Sequence, residues 1–201
     1  MKKLLTLIAL IMGAMVLAAC GGNDGDGTGR LAADHNAADV TFAQNMIPHH
    51  RQAVEMAGLA ETQAASPEVK TLARQIRDAQ APEIATMVGW LNDWDESTMA
   101  PDSGQGGGHD MNGHGGGGGG MNDNAGGMMS EGGMASLKNA SGAVFDRMFL
   151  EMMIEHHRGA VEMAQTELRD GRYGPAKELA DSIKNTQNTE IATMQDLLGR
   201  V

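Results

Sequence analysis

The sequence contains little cysteine, few aromatic residues and few basic residues. Cys20 is the single cysteine in 201 residues, so no disulfide can form within the chain. Aromatic side chains make up 3% of the residues, and the helix-forming Ala, Met, Leu, Glu and Gln favour an all-helical domain. The formal net charge is -11 and the basic residues do not cluster, which argues against binding to nucleic acid or to anionic lipid.

One long apolar run is present, at the N-terminus from Leu4 to Leu17, and it is too short to span a bilayer comfortably. Two lysines precede it and Leu17-Ala18-Ala19-Cys20 ends it, which resembles a bacterial lipoprotein signal. We therefore expect a signal peptide at 1–20, acylation of Cys20 and a flexible tether at 21–36. The protein would then be lipid-anchored to the membrane, on the extracytoplasmic face of the cell envelope. An ordinary signal peptide with an incidental cysteine is the alternative.

A stretch of twelve residues occurs twice in the chain. Met46–Ala57 reads MIPHHRQAVEMA, and Met153–Ala164 reads MIEHHRGAVEMA. The correspondence extends without a gap from 39–91 to 146–198, where about 23 of 53 positions are identical. An internal repeat of this length indicates two copies of one structural unit.

Each copy predicts a pair of helices, because apolar residues recur at spacings of three and four. Asn36 or Asp39 could cap the first helix, and Ser66 and Ser141 could cap two others. Pro82 should bend the second helix. The expected fold is an all-α, ferritin-like four-helix bundle made of two antiparallel helical hairpins, since a single hairpin could not cover its apolar face. The predicted helices are 37–64, 66–94, 142–170 and 175–199, and the hairpins are 37–94 and 141–201.

The segment 95–140 between the hairpins is rich in glycine, and we expect a disordered linker there. Methionines in an unfolded segment have no core to fill, so the spacing His109-x-Met111-x-x-His114 indicates a metal site. Thioether and imidazole donors favour Cu(I), and by extension Ag(I), over hard cations. Binding of Ni, Zn or Cu(II) by the histidines alone remains open, as does a merely biased linker composition.

The paired histidines of the repeat lie on or beside the buried helix faces. His49 shares a face with Met46, and His156 shares one with Met153, so each pair could hold a metal ion. Adjacent imidazoles diverge by about 100°, so the second histidine of each pair should reach a neighbouring helix. The second helix of each hairpin carries three polar or thioether groups that could complete a site. These are Gln80, Glu83 and Met87 in the first hairpin and Gln187, Glu190 and Met194 in the second.

A structural interpretation of the same residues stays open. A buried histidine can simply be hydrogen-bonded to a buried glutamate, and methionines such as Met56 and Met163 can simply fill a helical core. Nothing indicates catalytic residues: the Glu-x-x-His pairs of di-iron bundles, a phosphate-binding glycine loop and a serine nucleophile motif are all missing from the sequence. We therefore expect a protein that is not an enzyme.

The motif Met-Ile-x-His-His-x-x-Ala-Val-x-Met-Ala, followed by Gln-x-x-Glu-Ile-x-x-Met, resembles a bacterial extracytoplasmic family known as a domain of unknown function. The resemblance covers 36–94 and 142–198 and implies a ferritin-like four-helix bundle. One branch is similar to the CopM-type periplasmic copper- and silver-binding proteins. Pro82 departs from the family pattern, and the glycine-rich linker lies outside it. The ligands that the resemblance implies are Met46, His49, His50, Met56, Met153, His156, His157 and Met163.

The expected function is therefore extracytoplasmic, membrane-anchored metal binding, with Cu(I) as the first choice and Ag(I) as the second, for copper buffering or resistance. The competing hypothesis is an envelope interaction or scaffold bundle whose histidines are structural. A metal-dependent redox enzyme ranks last because the carboxylate ligands are missing.

Overall fold

The computed structural model describes residues 34–99 and 125–201. Within them the chain forms helices and no strand, and the predicted all-α bundle is confirmed. Four long helices and one short helix follow one another, and a single 3-10 turn at Ala125–Gly127 precedes the short helix. The helices are α1 at Ala37–Gln63, α2 at Pro67–Asp93, α3 at Glu131–Asn139, α4 at Gly142–Asp170 and α5 at Gly174–Leu198.

Local sequence signals explain where the first hairpin begins and turns. The Asn36 side chain accepts hydrogen bonds from the backbone N–H groups of Ala38 and Asp39, at 2.9 and 3.2 Å. Asp39 in turn accepts from the Asn36 N–H at 2.6 Å, so both predicted cap residues take part in one capping box. Ser66 caps α2, whose first residue is Pro67.

The two hairpins, α1–α2 and α4–α5, meet mainly through α1 and α4. The C-terminal half of α1 packs on the N-terminal half of α4, so these two helices run antiparallel. Two apolar clusters result: the Phe149 cluster, built around Ala57, Phe149 and Leu150, and the Phe42 cluster, built around Phe42, Ala160 and Ile183. The spacing shared by the two copies therefore places equivalent faces of the two hairpins against each other.

Two buried aspartates tie each hairpin to the turn of the other hairpin. Asp146 accepts hydrogen bonds from the backbone N–H groups of Ala65 and Ser66, at 3.1 and 2.8 Å. Asp39 accepts from Arg172 and Tyr173, at 3.0 and 2.9 Å. These positions correspond to one another in the repeat, so the two hairpins are related by an approximate twofold axis. The aspartates satisfy turn N–H groups that would otherwise be partly buried and unpaired.

Prolines interrupt both helices of the first hairpin. Pro82 lies inside α2, as predicted, and Pro48 lies inside α1 directly before His49. Each proline lacks the N–H that would bond the carbonyl four residues earlier, which for Pro48 is the carbonyl of Gln44. The second hairpin has Glu155 and Thr189 at the equivalent positions. The helix through the histidine pair therefore lacks one backbone hydrogen bond in the first copy only.

The prediction of a disordered linker throughout 95–140 is wrong at its C-terminal end. Ser130 caps α3, which spans Glu131–Asn139 and buries Met134 and Leu137 in the Phe149 cluster. The composition argument treated the segment as isolated, whereas these two apolar residues, three apart, find a partner surface on α1 and α4. Residues 100–124 lie outside the described part of the chain, as do 1–33 with the predicted lipidation site Cys20. None of the described helices is long and apolar enough to cross a membrane.

Candidate metal centre

His49 and His156 lie face to face where α1 crosses α4. Their ring centroids are 3.7 Å apart with an interplanar angle of 35°, and their exposed fractions are 1% and 0%. The two residues occupy the same position in the two repeats, so the approximate twofold axis passes between their rings. The Phe42 cluster lies on one side of this pair and the Phe149 cluster on the other. The pair is thus the polar centre of an otherwise apolar core.

No ring nitrogen of this pair makes a hydrogen bond of ordinary geometry with a described residue, although the Gly126 carbonyl faces the His49 ring. Burial, with a smaller contribution from the neighbouring His50, lowers the pKa of His49 from 6.5 to about 3. Burial, followed by the charge of His49, holds the pKa of His156 well below its usual value. Both rings are therefore neutral at pH 7, and each presents one nitrogen lone pair. Neutral imidazole is the form that binds a metal ion without first losing a proton.

The second histidine of each pair contacts a carboxylate on the facing helix. His50 Nε2 lies 2.6 Å from Glu83 Oε2, and His157 Nε2 lies 2.7 Å from Glu190 Oε2. In the neutral ring, the carboxylate acceptor selects the tautomer in which Nε2 carries the proton and Nδ1 carries the lone pair. Neither Nδ1 atom has a partner in the described structure. This geometry serves a structural hydrogen bond, and it equally orients an imidazole for metal binding.

Buried polar atoms without partners concentrate in this one layer of the bundle. Gln80 and Gln187 lie one turn before the two glutamates and are 2% exposed. Both amide atoms of Gln80 and the Oε1 atom of Gln187 are unpaired. Together with the six histidine nitrogens, these make nine of the twelve unpaired buried side-chain atoms in the described residues. A buried unpaired polar group is costly, so their grouping in one layer is a feature that requires an explanation.

The predicted methionine ligands divide between the two sides of the histidine pair. Met46 and Met153, three residues before His49 and His156, are fully buried. The Phe42 cluster contains Met46, Met87 and, at its edge, the partly buried Met163. The Phe149 cluster contains Met56, Met153 and Met194. Each side therefore holds one equivalent set of three thioethers, which either pack as core or supply soft donors.

The end of the linker covers the histidine pair from outside and is fastened to both central helices. We call residues 125–130 the strap. Its Gly126 and Gly127 have φ angles of +81° and +77°, which favour glycine. A Cβ atom on Gly127 would lie 2.7 Å from the Glu155 carbonyl oxygen, and one on Gly159 would overlap the Gly126 carbonyl. The Gly126 carbonyl also faces His49 and offsets a small part of its lowered pKa.

The first helix fastens the strap at the position that corresponds to Gly159, namely Gln52. Gln52 Nε2 donates to the Met129 carbonyl at 2.9 Å, and the Met129 N–H donates back to Gln52 Oε1 at 2.7 Å. The strap was not predicted from the sequence. The available signal was that Gln52/Gly159 is one of only two differing positions within the duplicated twelve residues, the other being Pro48/Glu155.

The described residues do not assemble a site of the carboxylate and histidine type. No group of three or more His, Cys, Asp or Glu side chains converges in 34–99 and 125–201. The donors that do meet are neutral imidazoles with thioethers nearby, a set suited to a soft ion of low coordination number. The predicted linker ligands His109, Met111 and His114 lie outside the described residues.

Comparison with known proteins places the chain in a family. The family model for DUF305, a domain of unknown function, matches residues 39–198. A DUF305 protein from Streptomyces coelicolor, presumed to be secreted, is 32% identical with a TM-score of 0.68, covering 81% of this chain and 93% of its own. A DUF305 fragment from Deinococcus radiodurans is 31% identical with a TM-score of 0.68, covering 83% and 98%. A search of the curated proteins finds no match.

The chain is also similar to CopM, whose structure with Cu(I) bound is 28% identical with a TM-score of 0.61. That alignment covers 81% of this chain and 96% of CopM. CopM has also been solved with Cu(II), with Ag and without metal.

Proposed function

This chain belongs to the DUF305 family, and from that premise we propose that it binds a soft metal ion, Cu(I) or Ag(I), at the histidine pair. The observation that carries the proposal is the set of unpaired ring nitrogens of His49 and His156. The two neutral imidazoles are buried against each other, and each loses the hydrogen bonds that it would make in water. Coordination of a metal ion would use these lone pairs.

The donor set supports a soft ion over a hard one. Thioethers and neutral imidazoles surround the centre, while its two carboxylates are already engaged with His50 and His157. Those carboxylates would orient the second imidazoles, as carboxylates commonly do behind metal-bound histidines. The similarity to CopM, which was solved with copper and with silver, agrees with this choice.

We further propose that the protein works outside the cytoplasm and is not an enzyme. The signal-like segment 1–20 and the tether 21–36 would attach it to the membrane through lipidated Cys20. Its presumed secreted relative supports an extracytoplasmic location. Metal capture by the linker residues His109, Met111 and His114, followed by storage in the bundle, would buffer copper or protect against it.

Titration of the protein with Cu(I) against a competing chelator, under anaerobic conditions, tests the proposal. We expect His49→Leu and His156→Leu to abolish the bundle site, because each removes one of two facing imidazoles. His35→Gln is the matched control, since His35 stacks on Trp94 at a distance from the pair. Unchanged Cu(I) binding in the His49→Leu/His156→Leu double variant would overturn the assignment.

A structural role is the second candidate function, favoured by the two His–Glu hydrogen bonds. In an interaction or scaffold bundle, His50–Glu83 and His157–Glu190 would join the helices of each hairpin and no metal would be involved. That hypothesis predicts no change in thermal stability with Cu(I) or Ag(I). Metal binding to the native state must instead raise the stability, by about 2.7 kcal/mol when the free metal is one hundred times Kd.

A further inference from the structure

A second group of thioethers lines a groove between α4 and the end of α5. Met148 and Met152, four residues apart on one face of α4, line this groove together with Met129 of the strap. A Cβ atom placed on Gly133 would meet both Met152 Cε at 3.5 Å and Met129 Cβ at 3.9 Å, so these two side chains are adjacent. The groove has a volume of about 780 Å³.

Met152 is 7% exposed and belongs to the Phe149 cluster, whereas Met148 and Met129 pack against the edge of that cluster. Met148 and Met129 are only half-buried, and the neighbouring Val144 is 66% exposed, so the groove is open to solvent. A small ion can therefore reach the thioethers without unfolding of the bundle. Flanking Arg147 and Arg158 are paired with Glu151 and Glu155, which leaves the rim close to neutral.

Comparison of the two repeats shows that the thioethers are specific to one side of the molecule. The positions that correspond to Met148 and Met152 are Thr41 and Asn45 in the first copy. Those two residues line a different groove, between the start of α1 and the end of α4. The repeated fold therefore does not require thioethers at these two positions.

The strap brings the third thioether into place. The two hydrogen bonds between Gln52 and the Met129 backbone fix this residue beside α4. The first-copy residue Gln52 thus holds a linker methionine beside two second-copy methionines, so the position of Met129 depends on both copies.

We propose that Met129, Met148 and Met152 form a second, thioether-only site for a soft monovalent ion, Cu(I) or Ag(I). Three thioethers without a hard donor would reject divalent cations such as Zn²⁺, whose usual ligands are Cys, His and carboxylate. The site shares with the proposed function only the class of metal. It uses none of the residues of the histidine pair, so either site can exist without the other.

Titration with Ag(I), which needs no reductant, tests this site through the methyl resonances of methionines labelled with ¹³C at Cε. We expect the resonances of Met129, Met148 and Met152 to shift together and to saturate at the same Ag(I) concentration. Met99, which is 74% exposed, is the control for unspecific thioether binding and should not follow that curve. Single Met→Leu variants assign the three signals, and leucine keeps the side-chain volume nearly constant.

The Met129→Leu/Met148→Leu/Met152→Leu variant should lose one Ag(I) equivalent, and each single variant should weaken this site by about tenfold or more. In the His49→Leu/His156→Leu background the thioether signals should still shift, which separates this site from the histidine pair. Zn²⁺ should leave all three signals in place. The proposal is overturned if the triple variant binds as many Ag(I) ions as the wild type, or if Met99 shifts along the same curve as the three methionines.

Discussion

Replacing His49 and His156 together by leucine should stabilise the metal-free protein. Each ring has two buried nitrogens without a partner, and leaving a buried polar group unpaired costs about 1–3 kcal/mol. Leucine of similar volume removes that cost and preserves the contact between α1 and α4. We expect the free energy of unfolding at pH 7.5 to rise by about 1–3 kcal/mol for each histidine removed, less any loss of packing between the facing rings.

The pH dependence provides an independent check on the same variant. The pKa of His49 is about 3 in the folded protein and 6.5 when exposed, so the unfolded state binds more protons between these values. The free energy of unfolding of the wild type must therefore rise with pH from about 3 to 6.5 and level off above that. His156 adds a contribution of the same sign. The slope approaches about 1.4 kcal/mol per pH unit for each histidine.

Urea denaturation of the metal-free wild type and double variant at pH 4.5, 5.5, 6.5 and 7.5 measures both effects. The difference between the two proteins isolates the histidines, because other titrating groups contribute equally to both. The advantage of the variant should be largest at pH 4.5 and smallest at pH 7.5. Adding Ag(I) at pH 7.5 should stabilise the wild type more than the variant. A variant that is less stable than the wild type at every pH would show that the rings are satisfied in the native state, and would refute the reasoning.

Three other perturbations test parts of the structure described above. Glu167 is buried and its pKa is raised to about 8 by burial and by Asp39, so the folded state binds more protons between 4.5 and 8. Its contribution to stability is therefore lost as pH rises through that window. Urea denaturation at pH 5 and 8 should show that Glu167→Gln removes this loss. An unchanged difference in unfolding free energy between the two pH values would contradict the assignment. Gly159→Ala should release the strap and speed proteolysis at 125–130, because its Cβ would overlap the Gly126 carbonyl. Gly58→Ala and Gly89→Ala are the controls: no atom lies within 4 Å of the new Cβ, so each should stabilise its helix by up to about 1 kcal/mol. Equal protease sensitivity of the three glycine variants would argue against the strap contact. Asp146→Ala should cost about 3 kcal/mol by removing two charge-assisted hydrogen bonds to a turn, whereas exposed Asp181→Ala should change the unfolding free energy by less than about 0.5 kcal/mol.

The repeat and its apolar spacing predicted the helices of both hairpins to within a few residues. Local signals can be recognised without tertiary information. They include the caps Asn36 and Ser66, and the prolines Pro67 and Pro82 at the start of and inside α2. The hydrogen bonds of the structural interpretation are present as His50–Glu83 and His157–Glu190, but the two glutamates are partly exposed and not buried. Their spacing of 33 residues is the same in both copies.

The contact between His49 and His156 could not be predicted in the same way. The sequence showed that the two residues occupy equivalent positions. Which equivalent pair lies on the approximate twofold axis depends on the register in which α1 packs against α4. That register is set by the packing of whole clusters and by the aspartate bonds to the turns. The strap was missed for a related reason: its glycines looked like linker composition until Gly159 provided the surface on which they pack. Metal binding by the histidines and methionines stays a prediction.

The reciprocal aspartate bonds have a consequence for the history of the molecule. Each hairpin leaves its own turn unsatisfied and supplies the bond that the other turn needs, and each contributes one imidazole to the central pair. A free hairpin would therefore be complete only as a symmetric homodimer, with its histidine on the dyad. In such a homodimer position 52 and position 159 would have to be the same residue. The single duplicated chain is free of that constraint, and it carries glutamine on one side and glycine on the other.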